Sequence, residues 1–135
     1  MSQENLEIVR RVYGYWTRGD FRSGIEAFDP DVEFEIDATA NLTGPVKVRG
    51  LAEMGKAWRE SLSGWGDFRV GEMARLVEID DGVIAFNRLE GRGRRSGIVV
   101  DQSDRAAIFR FRNNRIVGLR LTTATEAIEA AGLSE

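Results

Sequence analysis

Cysteine and histidine are both absent from the 135 residues. Without cysteine there is no disulfide framework, no thiolate nucleophile and no thiolate zinc site. Without histidine there is no Ser-His-Asp or Cys-His mechanism, no imidazole-ligated metal and no imidazole pH switch. No apolar run approaches the roughly 20 residues that span a bilayer, so no membrane segment is expected. The stretch 1–11 carries acids and no apolar segment of signal-peptide type, which points to a cytoplasmic protein. Polar chemistry is left to carboxylates, tyrosine, arginine, lysine, asparagine and hydroxyls.

What is present fits a single domain over residues 1–135, with 42% hydrophobic and 30% charged side chains. A chain of this size buries roughly two-thirds of the surface it exposes when unfolded, enough for a core and a pocket. The net charge of −3 is unevenly placed. Residues 1–87 hold 10 basic and 16 acidic side chains, whereas residues 88–120 hold 9 arginines against Glu90, Asp101 and Asp104. A basic block is one footprint of nucleic-acid binding. Here the arginines are spaced along strand-like segments, which reads as a solvated or ion-paired sheet, and no nucleic-acid partner is expected.

The pattern opens on helices. Leu6, Val9, Tyr13 and Trp16, with Val12 beside them, give one apolar helical face, with Ser2 as its N-cap. Gly19 ends that helix, and Asp20 caps a second short one over Phe21 to Phe28. Val32, Phe34 and Ile36 alternate with Glu33, Glu35 and Asp37, the signature of a half-buried strand. Residues 38–50 read as loop. Leu51, Met54, Trp58 and Leu62 define a third helix, stopped by Gly64. Four strands follow: Phe68 to Ile79 with a bulge near Gly71 and Glu72, Val83 to Glu90, Ile98 to Phe111, and Arg115 to Thr122. Asp81-Gly82 and Asn113-Asn114 are hairpin tips, and Thr123 or Thr125 caps a short terminal helix. Helices early and hairpins late argue for an α+β fold with an antiparallel sheet.

Several punctuating segments occur in a familiar order. Ile8 to Tyr13 lead to Arg18-Gly19-Asp20; then come Phe28-Asp29-Pro30-Asp31-Val32-Glu33-Phe34 and Val48-Arg49-Gly50. Gly91 to Gly97 lead into Val100-Asp101, and Phe109 to Ile116 form the last turn. From about Glu4 to Leu133 the chain resembles the SnoaL-like branch of the nuclear transport factor two-like superfamily. Its relatives include ketosteroid isomerases, polyketide cyclases, scytalone dehydratases and limonene-epoxide hydrolases, besides members that only bind ligands or partner proteins. The resemblance implies a cone-shaped curved sheet wrapped around the N-terminal helices, with an internal apolar pocket. It implies that Tyr13, Trp16 and Trp58 look into that pocket from the helices. From the strands it implies inward Phe34, Ile36, Phe86, Arg88, Glu90, Arg105, Ala107, Phe109, Leu119 and Leu121. Where isomerase-like members keep a carboxylate base at the end of the first strand, this chain has Ile36, with Asp37 on the opposite face. Where cyclases keep a His or Asp, it has Ala107.

The candidate catalytic groups are Arg88, Glu90 and Tyr13. Arg88 and Glu90 share a strand face at i and i+2, and limonene-epoxide hydrolases carry an Arg-x-Asp on this strand. The alternative is a structural or rim ion pair. Tyr13 lies on an apolar face, so its hydroxyl needs a partner, which a ligand or Asp37 would provide; the alternative is plain core. Glu33, Glu35 and Asp37 form a row rather than a converging set, so no metal is expected. The Gly91–Gly97 turn is followed by no helix N-terminus and reads as a hairpin rather than a phosphate loop.

The expected function is binding of a small, largely apolar molecule, cyclic ones among the candidates, with or without cofactor-free isomerase, cyclase or hydrolase chemistry. The alternative is a non-catalytic ligand-binding or protein-interaction module acting through its sheet face. No cofactor is called for. The expected assembly is a homodimer through the outer sheet face, because alternation turns Val83, Ala85, Leu89, Ala106 and Ile108 away from the helices.

Overall fold

The computed structural model describes residues 2–38, 44–63, 65–71, 75–97 and 99–132. Helix α1 (Ser2–Thr17) buries Val9, Val12, Tyr13 and Trp16, the face set by the three- and four-residue spacing. Ser2 is its first helical residue rather than its cap. Gly19 ends the unit at φ 79°, a left-handed conformation that glycine adopts without strain. The carboxylate of Asp20 accepts hydrogen bonds from the backbone of Arg22 and Ser23 and from the Ser23 hydroxyl. The expected second helix is only a 3-10 turn, Ser23–Ala27. Asp29 precedes Pro30 and is held extended, so strand β1 (Phe28–Ile36) begins early and cuts the helix short.

The segment expected to be loop contains strand β2 (Val46–Arg49), which pairs antiparallel with β1 through Phe34 opposite Val48. Four residues are too few for alternation to stand out from loop. Helix α2 (Leu51–Leu62) follows Gly50, which sits at φ 93°; Gly64, its expected stop, lies outside the described residues. The single long strand expected over Phe68 to Ile79 is two, β3 (Trp65–Val70) and β4 (Arg75–Ile79). Both pair with β5 (Gly82–Gly93), β4 along its first half and β3 along its second. Of the expected bulge, Glu72 lies outside the described residues; the Gly71 amide donates to the Arg88 carbonyl at 2.7 Å. Strands β6 (Val99–Arg112) and β7 (Arg115–Thr122) complete a seven-stranded curved sheet in the order β2-β1-β7-β6-β5-β3, with β4 beside β5. The sheet is mixed rather than wholly antiparallel: β1 and β7 run parallel, with Phe34 beside Leu119 and Ile36 beside Leu121.

The inner face of the sheet packs on α1 and α2. Val32, Phe34 and Ile36 of β1, Val83 and Ala85 of β5, Ala107 and Phe109 of β6 and Leu119 of β7 join the helix residues in one core. A second, smaller core lies on the other face, where helix α3 (Ala124–Ala130) packs Ala127 against Ile84, Phe86 and Ala106. Thr123 caps α3 by accepting from the Glu126 amide at 3.1 Å.

This second core corrects the phase expected for β5. Val83, Ala85 and Leu89 belong to the inner core, and Phe86 belongs under α3. Four consecutive apolar residues, Val83 to Phe86, are all buried, so both faces of β5 are covered and alternation cannot say which is inner. A register shift between Asn87 and Leu89 further breaks the count. On β6 the expected phase holds, with Ala107 and Phe109 inward and Ala106 and Ile108 outward.

Candidate functional site

The interior of the cone is aromatic. The Tyr13 and Trp16 ring centroids lie 4.9 Å apart, and Tyr13 meets Phe109 edge-on at 6.0 Å. Trp58 of α2 connects the rest, with centroid distances of 5.1 Å to Trp16, 5.4 Å to Phe34 and 5.7 Å to Phe21. Tilted and edge-on contacts at these distances are the favoured geometries of aromatic pairs. Trp16, Phe34 and Phe109 are buried, and Trp58 is half-buried against them. Ile36, Ala107 and Leu119 belong to the same core.

Four polar groups lie in or beside this apolar shell. Burial alone raises the Tyr13 phenol far above its ordinary value; no charge or hydrogen bond contributes. The hydroxyl therefore stays protonated and can donate. Arg105 is 5% exposed and stands two residues before Ala107 on β6, with the buried Asn87 as its neighbour on β5. Desolvation lowers the Arg105 pKa, while Asp104 and then Asp37 raise it. The fourth group is the Trp58 indole Nε1, which is buried with no hydrogen-bond acceptor. Among the described residues the buried polar or charged side chains are Asn87, Arg105 and Thr122, and none is a carboxylate.

Arg88 and Glu90 are not part of this interior. Arg88 Nε lies 3.7 Å from a Glu90 carboxylate oxygen, and both side chains are about half exposed. Leu89 between them faces the core, so the pair stands on the solvent side, separated from Tyr13. The β5 phase shift that moves Phe86 under α3 moves Arg88 and Glu90 out as well.

Asp37 is not a partner for Tyr13. It lies on the outer face, where Arg120 grips it from Nε at 3.1 Å and Nη2 at 2.8 Å, and the Thr122 hydroxyl donates to it at 2.5 Å. The Arg120 hydrogen bonds hold its pKa below the ordinary aspartate range; desolvation opposes this and Thr122 assists. The same pairing raises the Arg120 pKa. The group borders an open cleft of about 670 Å³ whose wall includes Glu35, Lys47 and Glu126. Sequence reading missed this cluster, although its signal is present. Asp37 is out of phase with the inward Phe34 and Ile36, as Arg120 is with Leu119 and Leu121.

The acid row of β1 pairs along the sheet: Lys47 Nζ lies 3.6 Å from Glu35, and Arg110 Nη2 3.7 Å from Glu33. Among the described residues no group of three or more carboxylates is placed to hold a metal. In the glycine-rich turn, Arg94 donates to the carbonyls of Ser63 and Trp65 at 3.1 and 3.2 Å and fastens the hairpin to the end of α2. No helix among the described residues is long and apolar enough to cross a membrane.

These features define an α+β cone: a curved mixed sheet closed over helices, with an aromatic interior. Residues 9–119 match the model of the SnoaL-like domain, and the chain belongs to that family. Solved structures share the fold. Bal32a from a soil-derived mobile gene cassette is 24% identical, with 89% of this chain and 88% of that one covered and a TM-score of 0.71. A putative SnoaL-like polyketide cyclase from Jannaschia sp. CCS1 is 20% identical over 96% of this chain and 91% of its own, at a TM-score of 0.70. TerC, co-crystallised with polyporic acid, is 18% identical over 95% and 97%, at a TM-score of 0.74. No curated protein matches the sequence.

Proposed function

We propose that the chain binds a small, largely apolar, cyclic molecule inside the cone, and that the protein groups meeting its polar end are hydrogen-bond donors. One observation carries this reading. Rings from α1, α2, β1 and β6 converge on one interior that also holds Arg105, Asn87 and a neutral Tyr13 but no buried carboxylate among the described residues. Such an interior favours a flat apolar body with an acceptor oxygen. The polyporic acid co-crystallised with TerC and the polyketide cyclase name of the Jannaschia protein point the same way. If chemistry accompanies binding, donors of this kind stabilise an oxyanion. The half-exposed Glu90 is poorly placed to serve as base, so binding is the leading reading.

The test is calorimetric titration of a panel of planar cyclic compounds against the wild type and Trp16→Ala. Micromolar binding that weakens about tenfold or more in the variant is the expected outcome. A panel without a single binder, or binding indifferent to Trp16, rejects the interior as a ligand site.

A second reading, action through the sheet face, has its own observation. A groove of about 280 Å³ on the outer face is lined by Ile84 and Ile108 and rimmed by Glu33, Glu35, Arg110 and Arg120. We propose that a second copy of the chain occupies this face. A two-fold axis there sets the acid row of one copy against the arginines of the other.

A further inference from the structure

Among the described residues two interior N–H groups are closed off from solvent with no acceptor, Arg105 Nε and the Trp58 indole nitrogen, and of the two only the indole lies within the cluster of aromatic rings. Burying a donor without an acceptor costs roughly 1–3 kcal/mol, a cost a phenylalanine in the same slot avoids. The rings packed on it, those of Trp16, Phe34 and Phe21, supply no acceptor oxygen. Trp58 is also half-buried, so the indole lies where the aromatic shell meets solvent. The part-buried Phe21 ring lies beside it, at a centroid distance of 5.7 Å.

We propose that the Trp58 N–H is the positioning donor of the binding site, and that its partner is an oxygen carried on the ring system of the ligand. The ligand class is thereby narrowed from apolar rings in general to rings bearing a carbonyl, quinone or phenolate oxygen. This inference rests on the reading of the interior as the ligand site. Of the three rings packed on the indole, Phe21 is the one with a solvent side, and access is by its displacement. Once Phe21 swings aside, the indole edge is open to a ligand whose flat body stacks on Trp16 and Phe34.

The experiment compares two probes of nearly equal shape, fluorenone and fluorene, which differ by a carbonyl in place of a methylene. Calorimetry on the whole chain is expected to show fluorenone binding about five- to tenfold tighter than fluorene, the range that one neutral hydrogen bond supplies. In Trp58→Phe the preference should fall to within about twofold while fluorene affinity holds. In the wild type, the Trp58 indole N–H resonance, assigned by its loss in the variant, should move downfield with fluorenone and stay in place with fluorene. That shift can be read even if Trp58→Phe folds poorly, with the resonance then assigned through its contacts to Trp16 and Phe34. A preference retained in Trp58→Phe, equal affinities in the wild type, or a resonance unmoved by bound fluorenone overturns the donor role. The unmoved resonance would assign the N–H to a ring face of its neighbours. If neither probe binds, the interior-site reading fails and takes this inference with it.

Discussion

At the scale of the residue, a polar contact defined by several hydrogen bonds lies outside the aromatic interior. Asp37 holds three hydrogen bonds from the side chains of Arg120 and Thr122, two of them from one guanidinium. Bidentate charge-assisted pairs of this kind are among the stronger polar contacts. Because its folded pKa lies below the ordinary value, the carboxylate form stabilises the fold above about pH 4, and that contribution disappears as pH falls through the folded pKa. Asp37→Asn is therefore expected to lose about 1–2 kcal/mol at pH 7 in urea unfolding. The gap to the wild type should narrow as pH falls below about 4 and close once the folded pKa is passed. A gap that persists unchanged in acid would show that the carboxylate charge is not what matters. The aromatic part of the site was legible in the sequence because Tyr13, Trp16 and Trp58 sit at helical spacing on faces that must be buried. The alternation puts Asp37 on the face opposite Ile36, but nothing in a row of alternating acids says which one an arginine far along the chain will grip.

At the scale of the element, β5 carries the main error and the main lesson. Its apolar run is long enough to serve two cores, and only α3 decides that Ile84 and Phe86 are the outer pair. A short terminal helix of seven residues gave no periodicity from which to foresee that role. The consequence is testable. Ala127, fully buried in α3, is the centre of the contacts that seat the helix, with Ala124 and Ile128 beside it. Ala127→Asp places a charge against Ile84, Phe86 and Ala106, and α3 should undock, at a cost of about 2–3 kcal/mol in stability. Hydrogen exchange should then speed in α3 while α1 keeps its protection. Equal acceleration in both helices would mean that the two cores form one cooperative unit. Nearby, Gly118 of β7 allows Arg110 to reach across it to Glu33: a Cβ there would lie 2.5 Å from the guanidinium. The sequence offers no hint of that three-strand crossing, because it depends on which strands become neighbours.

At the scale of the whole molecule, the order of helices and strands was readable, and with it the α+β class. The parallel β1–β7 contact was not, since hairpin logic joins only successive strands. The proposed dimer belongs to this scale too. The apolar face expected for it is reduced, because Val83, Ala85 and Leu89 point inward and α3 covers Ala106, leaving the groove around Ile108. Sedimentation at micromolar concentration is expected to give twice the chain mass of 15.1 kDa and to return to one chain in Ile108→Asp. A wild-type mass of a single chain would reject the assembly, and a dimer untouched by the substitution would move it to another face.

The place of β7 also governs how the chain reaches this state. It is the strand made last, and it stands between β1 and β6 in the middle of the sheet. During synthesis β1 and β2 must wait, as an unfinished ribbon, until β7 has been made. The contacts of β7 with β1 link residues about as far apart in the sequence as the fold allows, for example Phe34 with Leu119. Closing so large a loop slows folding. The exposed edge of β1 is meanwhile open to strands of neighbouring nascent chains. Its acid row, Glu33, Glu35 and Asp37, then acts before the native state exists, by making that waiting edge mutually repulsive between copies.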